Sequence, residues 1–335
     1  MRRILMKNIL LIAGLQERYY FQPFVDACSN RNVTIHLCDP SRYPVDATFG
    51  ITQDKTGRID GYIETIRIDG TSCENTSVEL SDIHTAWYLR ENYTQGHCKQ
   101  LNIENRFASN ETRQALRALL SVLSCKWINR SESIDYLNSN KLYQQLIATR
   151  CGLSVPRTII SNNPISVEQF SDVENGLLLK SIGYIKLDNE GNCVLCSERF
   201  SHKELVASAA AIRGCPIYGQ EYVKKLYEYR VMVIGQRVLS CRIDSQASTM
   251  TKVDWRHYDF EKVEHRQVDL PKDVQDKLLH FMATADLRYG ALDLIETPKG
   301  DFVFLEVNPS GQWGWIADFA GLPIPEAVAD MLESI

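Results

Sequence analysis

The chain has 335 residues, 44% of them hydrophobic and 24% charged, which fits one large or two or three small globular domains and excludes a disordered or fibrous protein. A net charge of -5 without a Lys/Arg cluster argues against nucleic acid as a partner. No run approaches the roughly 18 apolar residues of a membrane span.

Asn8 to Ala13 reads as a buried strand, Glu17 to Asn30 as a helix and Val33 to Cys38 as a second strand, together one βαβ unit. Gly14 lacks the further glycines of a dinucleotide fingerprint and reads as a turn residue. Gly61 to Ile68 and Thr85 to Tyr88 extend this α/β domain. Asn110 is placed to cap an amphipathic helix over 110–124, with Leu116, Leu119, Leu120 and Leu123 on one face. A second helix, Ser139 to Arg150, is expected to turn Leu142, Leu146 and Ile147 inward and to stop at Gly152, with Pro156 beyond.

The second half is strand-rich. Gly176 to Ser181 is followed by a hairpin turning at Asp188-Asn189-Glu190-Gly191, then by Tyr229 to Ile234 and Arg237 to Ile243 around Gly235. A helix over Val274 to Ala285 precedes the strands Gly290 to Ile295 and Phe302 to Val307. The expected division is 1–130, 131–220 and 221–335.

Ten cysteines are scattered, Cys28, Cys38, Cys125 and Cys241 among them in apolar contexts, as reduced buried thiols are. Cys193 and Cys196 have metal-like spacing, but with a lone His202 as the nearest further ligand they read as strand cysteines. Met1-Arg2-Arg3 runs into a strand-like segment without a secretory cleavage pattern, so a cytoplasmic location is expected.

The chemistry concentrates near the C-terminus. Glu306 and Asn308 are two apart on one strand, which points their oxygens to one face, with Leu305 and Val307 on the other. Asp293 lies in the paired strand within Ala-Leu-Asp-Leu-Ile. Two carboxylates and an amide oxygen make a hard oxygen site suited to magnesium that also holds nucleotide phosphates.

With the string Glu-Val-Asn-Pro, these residues resemble the metal end of the ATP-grasp ligases, from about Asn138 to the C-terminus. The resemblance implies an α/β N-terminal domain followed by an α+β ATP-grasp fold whose two subdomains clasp ATP. Gln220-Glu221-Tyr222-Val223 and Glu228 look like the adenine hinge and ribose acid. By that likeness Gln220 and the Glu221 carbonyl meet the adenine amine, the Val223 amide a ring nitrogen, and Glu228 the ribose hydroxyls. Lys141 and Lys180 match the two phosphate-binding lysines, and Asp293, Glu306 and Asn308 the metal ligands, with two magnesium ions expected. Lys180 is followed by Ser-Ile-Gly-Tyr and not by a glycine-rich loop, and the Tyr184 to Cys196 hairpin is a candidate lid.

Lys252-Val-Asp-Trp-Arg256-His-Tyr-Asp259, Asn308-Pro-Ser-Gly-Gln-Trp313-Gly-Trp315 and Trp87-Tyr88-Leu89-Arg90 look like the subgroup that matures ribosomal peptides, the graspetide or microviridin-type macrocyclases. That resemblance implies a precursor peptide with a leader and an acidic, hydroxyl-rich core as partner. Arg256 is the candidate for the γ-phosphate and acyl-phosphate oxygens, with Arg230 and Arg242 as further candidates. Asp254, His257 and Asp259 either position or deprotonate the nucleophile or hold Arg256, and no general base is singled out. The competing readings are a ligase for free amino acids or a protein tail, and a non-catalytic nucleotide-binding regulator. Oligomeric state is left open, a homodimer being one option.

Overall fold

The computed structural model describes residues 6–89, 103–182, 197–257 and 259–335. The chain divides into two compact units, Met1–Ser131 with Pro323–Ile335, and Glu132–Leu322. The 184–196 hairpin with its cysteine pair, Arg90 and Tyr258 lie outside the described residues.

In the first unit β1 (Lys7–Ile12) runs parallel to β2 (Val33–Cys38) and to β6 (Ile83–Tyr88), and α1 (Arg18–Cys28) makes the first crossover. Ile9 to Ile12 are all buried, as a central parallel strand requires. Three antiparallel strands, β3 (Phe49–Gln53), β4 (Ile59–Asp69) and β5 (Ser72–Glu79), extend the sheet from β2. Helix α2 (Ile103–Ser121) leads to β7 (Lys126–Ile128), parallel to β6. Because α2 begins well before Asn110, that residue is no cap; its side-chain oxygen accepts from Arg113 inside the helix. The expected apolar face is there, with Leu116, Leu119, Leu120 and Leu123 buried.

The second unit opens with α3 (Ser131–Asn138) and α4 (Lys141–Arg150). A four-stranded sheet of order β10-β9-β11-β8 follows, from β8 (Thr158–Ser161), β9 (Leu177–Lys180), β10 (Glu198–Phe200) and β11 (Ile217–Glu221). Helices α5 (Pro164–Phe170), α6 (His202–Ala207) and α7 (Ala209–Gly214) bury Val167, Leu205 and Ile212 with Leu177 of that sheet.

A five-stranded antiparallel sheet comes next, order β14-β13-β12-β15-β16, built from β12 (Tyr227–Ile234), β13 (Arg237–Ile243), β14 (His265–Gln267), β15 (Tyr289–Glu296) and β16 (Phe302–Asn308). Its two hairpins turn through Gly235 and Gly300, whose φ angles of 59° and 85° favour glycine. Helix α8 (Lys272–Thr284) covers one face, Phe281 meeting Phe304 at 4.9 Å between centroids. After α9 (Gly314–Ala320), the last helix α10 (Ile324–Ser334) returns to the first unit and packs on α1, where Arg31 meets Asp330 at 2.6 Å.

No described helix is long and apolar enough to cross a membrane. Cys28, Cys38 and Cys241 are free and buried, and burial pushes each thiol up to about 12, so these are inert core thiols.

Candidate active site

Alternation sorts the five-stranded sheet into two faces. Tyr229, Val231 and Val233 of β12 enter the core beside Leu292, Leu294, Phe304 and Val307. Glu228 and Arg230 therefore project from the opposite face. Strand register carries that face onward: Arg230 pairs with Asp293, Asp293 with Glu306, and Ala291 with Asn308. The three expected oxygen donors come together there.

Leu305 departs from expectation. A bulge pairs Leu294 with Phe304 but Asp293 with Glu306, leaving Leu305 as the extra residue. Phe304 and Val307 thus face the core, while Leu305 lines the cleft beside Glu306. Arg242 is a correction. It pairs with Tyr229 and so lies on the core-facing side of the sheet, its guanidinium 4.1 Å from the Tyr227 ring.

Arg230 Nη1 donates to both Asp293 oxygens at 3.0 Å, and Nη2 to the Gln312 carbonyl at 3.3 Å. Asn308 Nδ2 lies 3.5 Å from Asp293 Oδ2. Gly311 seals this corner, since a Cβ there would sit 2.4 Å from Ala291 Cβ and 2.9 Å from Arg230 Nη2. Burial pushes the Asp293 carboxyl up against the pull of Arg230, and the charge of Glu306 adds to the push. Burial opposes ionisation of Glu306 too, yet Lys141, Lys180 and Arg256 hold its carboxyl at about 2. Lys141 Nζ stands 3.4 Å from Glu306 Oε2. Burial draws the Lys180 ammonium down to about 8, against the attraction of Glu306.

Gln144 fixes where Lys141 lies. Its Oε1 accepts from the Val307 amide at 2.8 Å, while Nε2 donates to the carbonyls of Val307 at 3.1 Å and Leu137 at 2.9 Å. One side chain so satisfies both backbone groups of an edge residue. This sets the phase of α4, burying Gln144, Gln145, Ile147 and Ala148 and leaving Leu142 and Leu146 exposed, contrary to the expectation for those two leucines.

The hinge segment follows β11. Gln220 Nε2 donates to Thr158 Oγ1 and Tyr218 Oη, both at 3.2 Å, while its Oε1 is buried with no protein partner. An orphaned buried acceptor of this kind suits a ligand N–H. Glu221 is fixed through Arg157, whose amide donates to its carboxylate at 3.0 Å, and Arg199 lies over the Tyr222 ring at 4.3 Å. Burial raises the Glu228 carboxyl, opposed by Lys225 at 2.8 Å.

Across the cleft, Asp254 grips Arg256, with Nε to Oδ1 at 2.8 Å and Nη2 to Oδ2 at 2.5 Å, and accepts from the Ser197 amide at 3.0 Å. Burial works against the ionised Asp254, yet the guanidinium holds its carboxyl well below the usual range. Of the alternatives for Asp254, the contacts match a residue that holds Arg256. His257 is exposed, and Asp259 is engaged by Ser248 Oγ at 2.6 Å.

A cleft joins these groups. Lys180, Gln220, Glu221, Tyr222, Val223, Glu228, Arg256, Asp293 and Glu306 line it; Lys141, Arg230 and Asn308 reach it through Glu306 and Asp293. Trp255 lines the cleft with Trp315 packed on it at 4.8 Å, and Trp313 is buried. Sequence reasoning passed over Lys225 and Ser197, which also line it. The spacing Lys225-x-x-Glu228 was the available signal for the first; nothing local marks Ser197.

Among the described residues no three His, Cys, Asp or Glu side chains gather as a metal set. The candidate is instead two carboxylates and an amide. Its fit to a hard divalent cation rests on the donor set, two cross-strand carboxylates and an amide oxygen on one sheet face, where Arg230 and Lys141 balance the carboxylates in this structure.

No family model and no curated protein matches the chain. Solved structures do. A Chryseobacterium gregarium RiPP-associated ATP-grasp ligase, in complex with ADP and a leader and core peptide, gives a TM-score of 0.85 at 23% identity, covering 98% of this chain and 96% of that one. The macrocyclase MdnC of Microcystis aeruginosa MRC, bound with precursor peptide MdnA, gives 0.79 at 25% identity, covering 98% and 100%. PsnB, complexed with a phosphomimetic variant of its minimal precursor, Mg and ADP, gives 0.72 at 17% identity, covering 98% and 99%. The protein has the ATP-grasp fold. Within that fold it resembles, over nearly its whole length, the ligases and macrocyclases of ribosomal peptides.

Proposed function

We propose that the chain is an ADP-forming ATP-grasp ligase that closes a macrolactone or macrolactam in a ribosomal precursor peptide. The observation that carries this reading is one cleft lined both by the hinge segment Gln220 to Val223 and by a charged cluster of Lys180, Glu306, Asp293 and Arg256. The likeness over nearly the whole chain to MdnC, bound with its precursor peptide, and to the Chryseobacterium ligase, in complex with a leader and core peptide, supports a peptide with leader and core as substrate.

The unpartnered Gln220 Oε1 and the Glu221 carbonyl accept from the adenine amine, the Val223 amide donates to the ring, and Glu228 takes the ribose hydroxyls. Lys141 and Lys180 neutralise the α- and β-phosphates. Asp293, Glu306 and Asn308 are the residues to hold two magnesium ions, which when bound offset charge on the terminal phosphates. A Glu or Asp carboxylate of the peptide attacks the γ-phosphorus, the bond to the β-phosphate oxygen breaks, and ADP leaves behind an acyl phosphate. A Thr or Ser hydroxyl, or a Lys amine, then attacks the acyl carbon. Inorganic phosphate departs, and the nucleophile's proton goes to the phosphate or to solvent. Arg256, oriented by its two-point contact with Asp254, stabilises the charge that the phosphoryl and acyl oxygens gain in both steps. Arg230 acts from behind by fixing Asp293.

The test is incubation of the protein with its precursor, ATP and magnesium, followed by intact mass. Loss of one water per ring with matching ADP release is expected, abolished in Glu306→Ala and Asn308→Ala. Cyclisation retained in both variants would refute the metal assignment.

A further inference from the structure

The Lys225 ammonium bridges two segments that line the cleft, the start of β12 and the loop before Arg256. It is 2.8 Å from Glu228 Oε1 and 2.9 Å from the Val253 carbonyl, with its side chain only 4% exposed. Lys225 belongs to the short link between β11 and β12. Val253 immediately precedes Asp254, the residue that grips Arg256. We propose that Lys225 is a positioning residue that ties the nucleotide's ribose acid to the loop carrying the catalytic arginine. The inference rests on the reading of Glu228 as the ribose acid and goes beyond it by giving that acid a second task.

A lysine has three ammonium donors and no acceptor. Committing one donor to Glu228 opposes the effect of burial on that carboxyl and fixes its orientation toward an incoming ribose. Committing another to a backbone carbonyl pins the 253–256 loop at its start. The loop is also anchored to Ser197, whose amide donates to Asp254 at 3.0 Å and whose hydroxyl accepts from Arg256 Nη2 at 3.3 Å. A ribose hydroxyl, Glu228, Lys225, Val253, Asp254 and Arg256 then form one continuous polar chain. A nucleotide lacking its ribose hydroxyls leaves that chain unengaged at its first link.

The test separates tethering from mere packing. Binding of ATP and of 2′,3′-dideoxy-ATP, each with magnesium, is measured by calorimetry in wild type, Lys225→Met and Lys225→Arg. In parallel, 5-fluorotryptophan labelling, with the Trp255 signal assigned by Trp255→Phe, reports the loop. Wild type is expected to prefer ATP by about tenfold or more and to shift the Trp255 resonance further with ATP than with the dideoxy nucleotide, both of which occupy the cleft that Trp255 lines. Lys225→Met is expected to bind the two alike and to give the same shift with both, while Lys225→Arg restores the preference through Glu228. A Lys225→Met protein that is folded by circular dichroism and keeps either the preference or the difference in shift overturns the inference. Wild type that binds no ATP overturns the functional reading itself, so the two failures are told apart.

Discussion

Arg230 holds Asp293 with a single nitrogen, Nη1, 3.0 Å from both carboxylate oxygens, in a pair whose side chains are 8% and 10% exposed. Removing one partner of such a pair leaves a buried charge without compensation, at a cost of about 3–5 kcal/mol. Arg230→Met is therefore expected to lower unfolding free energy by roughly that amount, and Arg230→Met with Asp293→Asn to recover most of it. Urea unfolding of the four proteins in the cycle reads the coupling directly. Simple additivity of the two changes counts against the pairing.

Lys180 gives the cleft a pH dependence. Burial brings its ammonium to about 8, so it is charged at neutral pH and largely neutral above pH 9. ATP affinity is expected to fall as pH rises from about 7 to 9.5, with proton uptake on binding near pH 8, and Lys180→Arg should flatten the profile because arginine stays protonated. For the free protein the sign is opposite. Between about 8 and the ordinary 10.5 the unfolded chain binds more protons at this residue, so folding stability contributed here rises with pH. Calorimetry in buffers of differing ionisation enthalpy checks the uptake; a flat affinity profile in wild type counts against a phosphate-binding role.

The orphaned Gln220 oxygen predicts base selectivity. An acceptor suits the amine of adenine and faces a like acceptor in guanine. Gln220→Leu is expected to weaken ATP binding by about tenfold while changing GTP binding little. Competition titrations with both nucleotides decide it. An unchanged ATP-to-GTP ratio removes Gln220 from the base site.

Arg242 provides the negative control. It stacks on Tyr227 on the far side of the sheet, so Arg242→Ala is expected to leave ATP affinity and turnover unchanged and to lower stability by about 1 kcal/mol. A loss of turnover at normal ATP affinity would return this arginine to the active site.

Strand alternation made part of the nucleotide face readable: Glu306 and Asn308 share a face by period-two geometry, and Asp293 follows from the pairing of their two strands, whereas Glu228 was legible only through its resemblance to a known hinge. The same rule misplaced Leu305, because a bulge adds a residue that no pattern of apolar letters records. It would have placed Arg242 correctly had the register with Tyr229 been known; strand spacing says nothing about which strand neighbours which. The helix of Lys141 was legible as a helix but not in its phase. Two glutamines point inward there, one of them bonded to main chain 163 residues away, a long-range demand that outweighs the local leucine pattern. Asn110 reads as a cap only if the helix starts there, and the turns before it are polar enough to hide the true start.

Gln144 has a last consequence, for the rim of the five-stranded sheet. β16 is an outermost strand, and such strands expose main-chain groups that invite pairing with another chain. Here Gln144 occupies both groups of Val307, and the Ser154 carbonyl takes the Phe304 amide at 2.8 Å. One side chain and one passing loop thus take three main-chain groups of this rim, which leaves a stray extended segment less template to pair with. The opposite rim, β14, is only three residues long, which protects the sheet there by brevity.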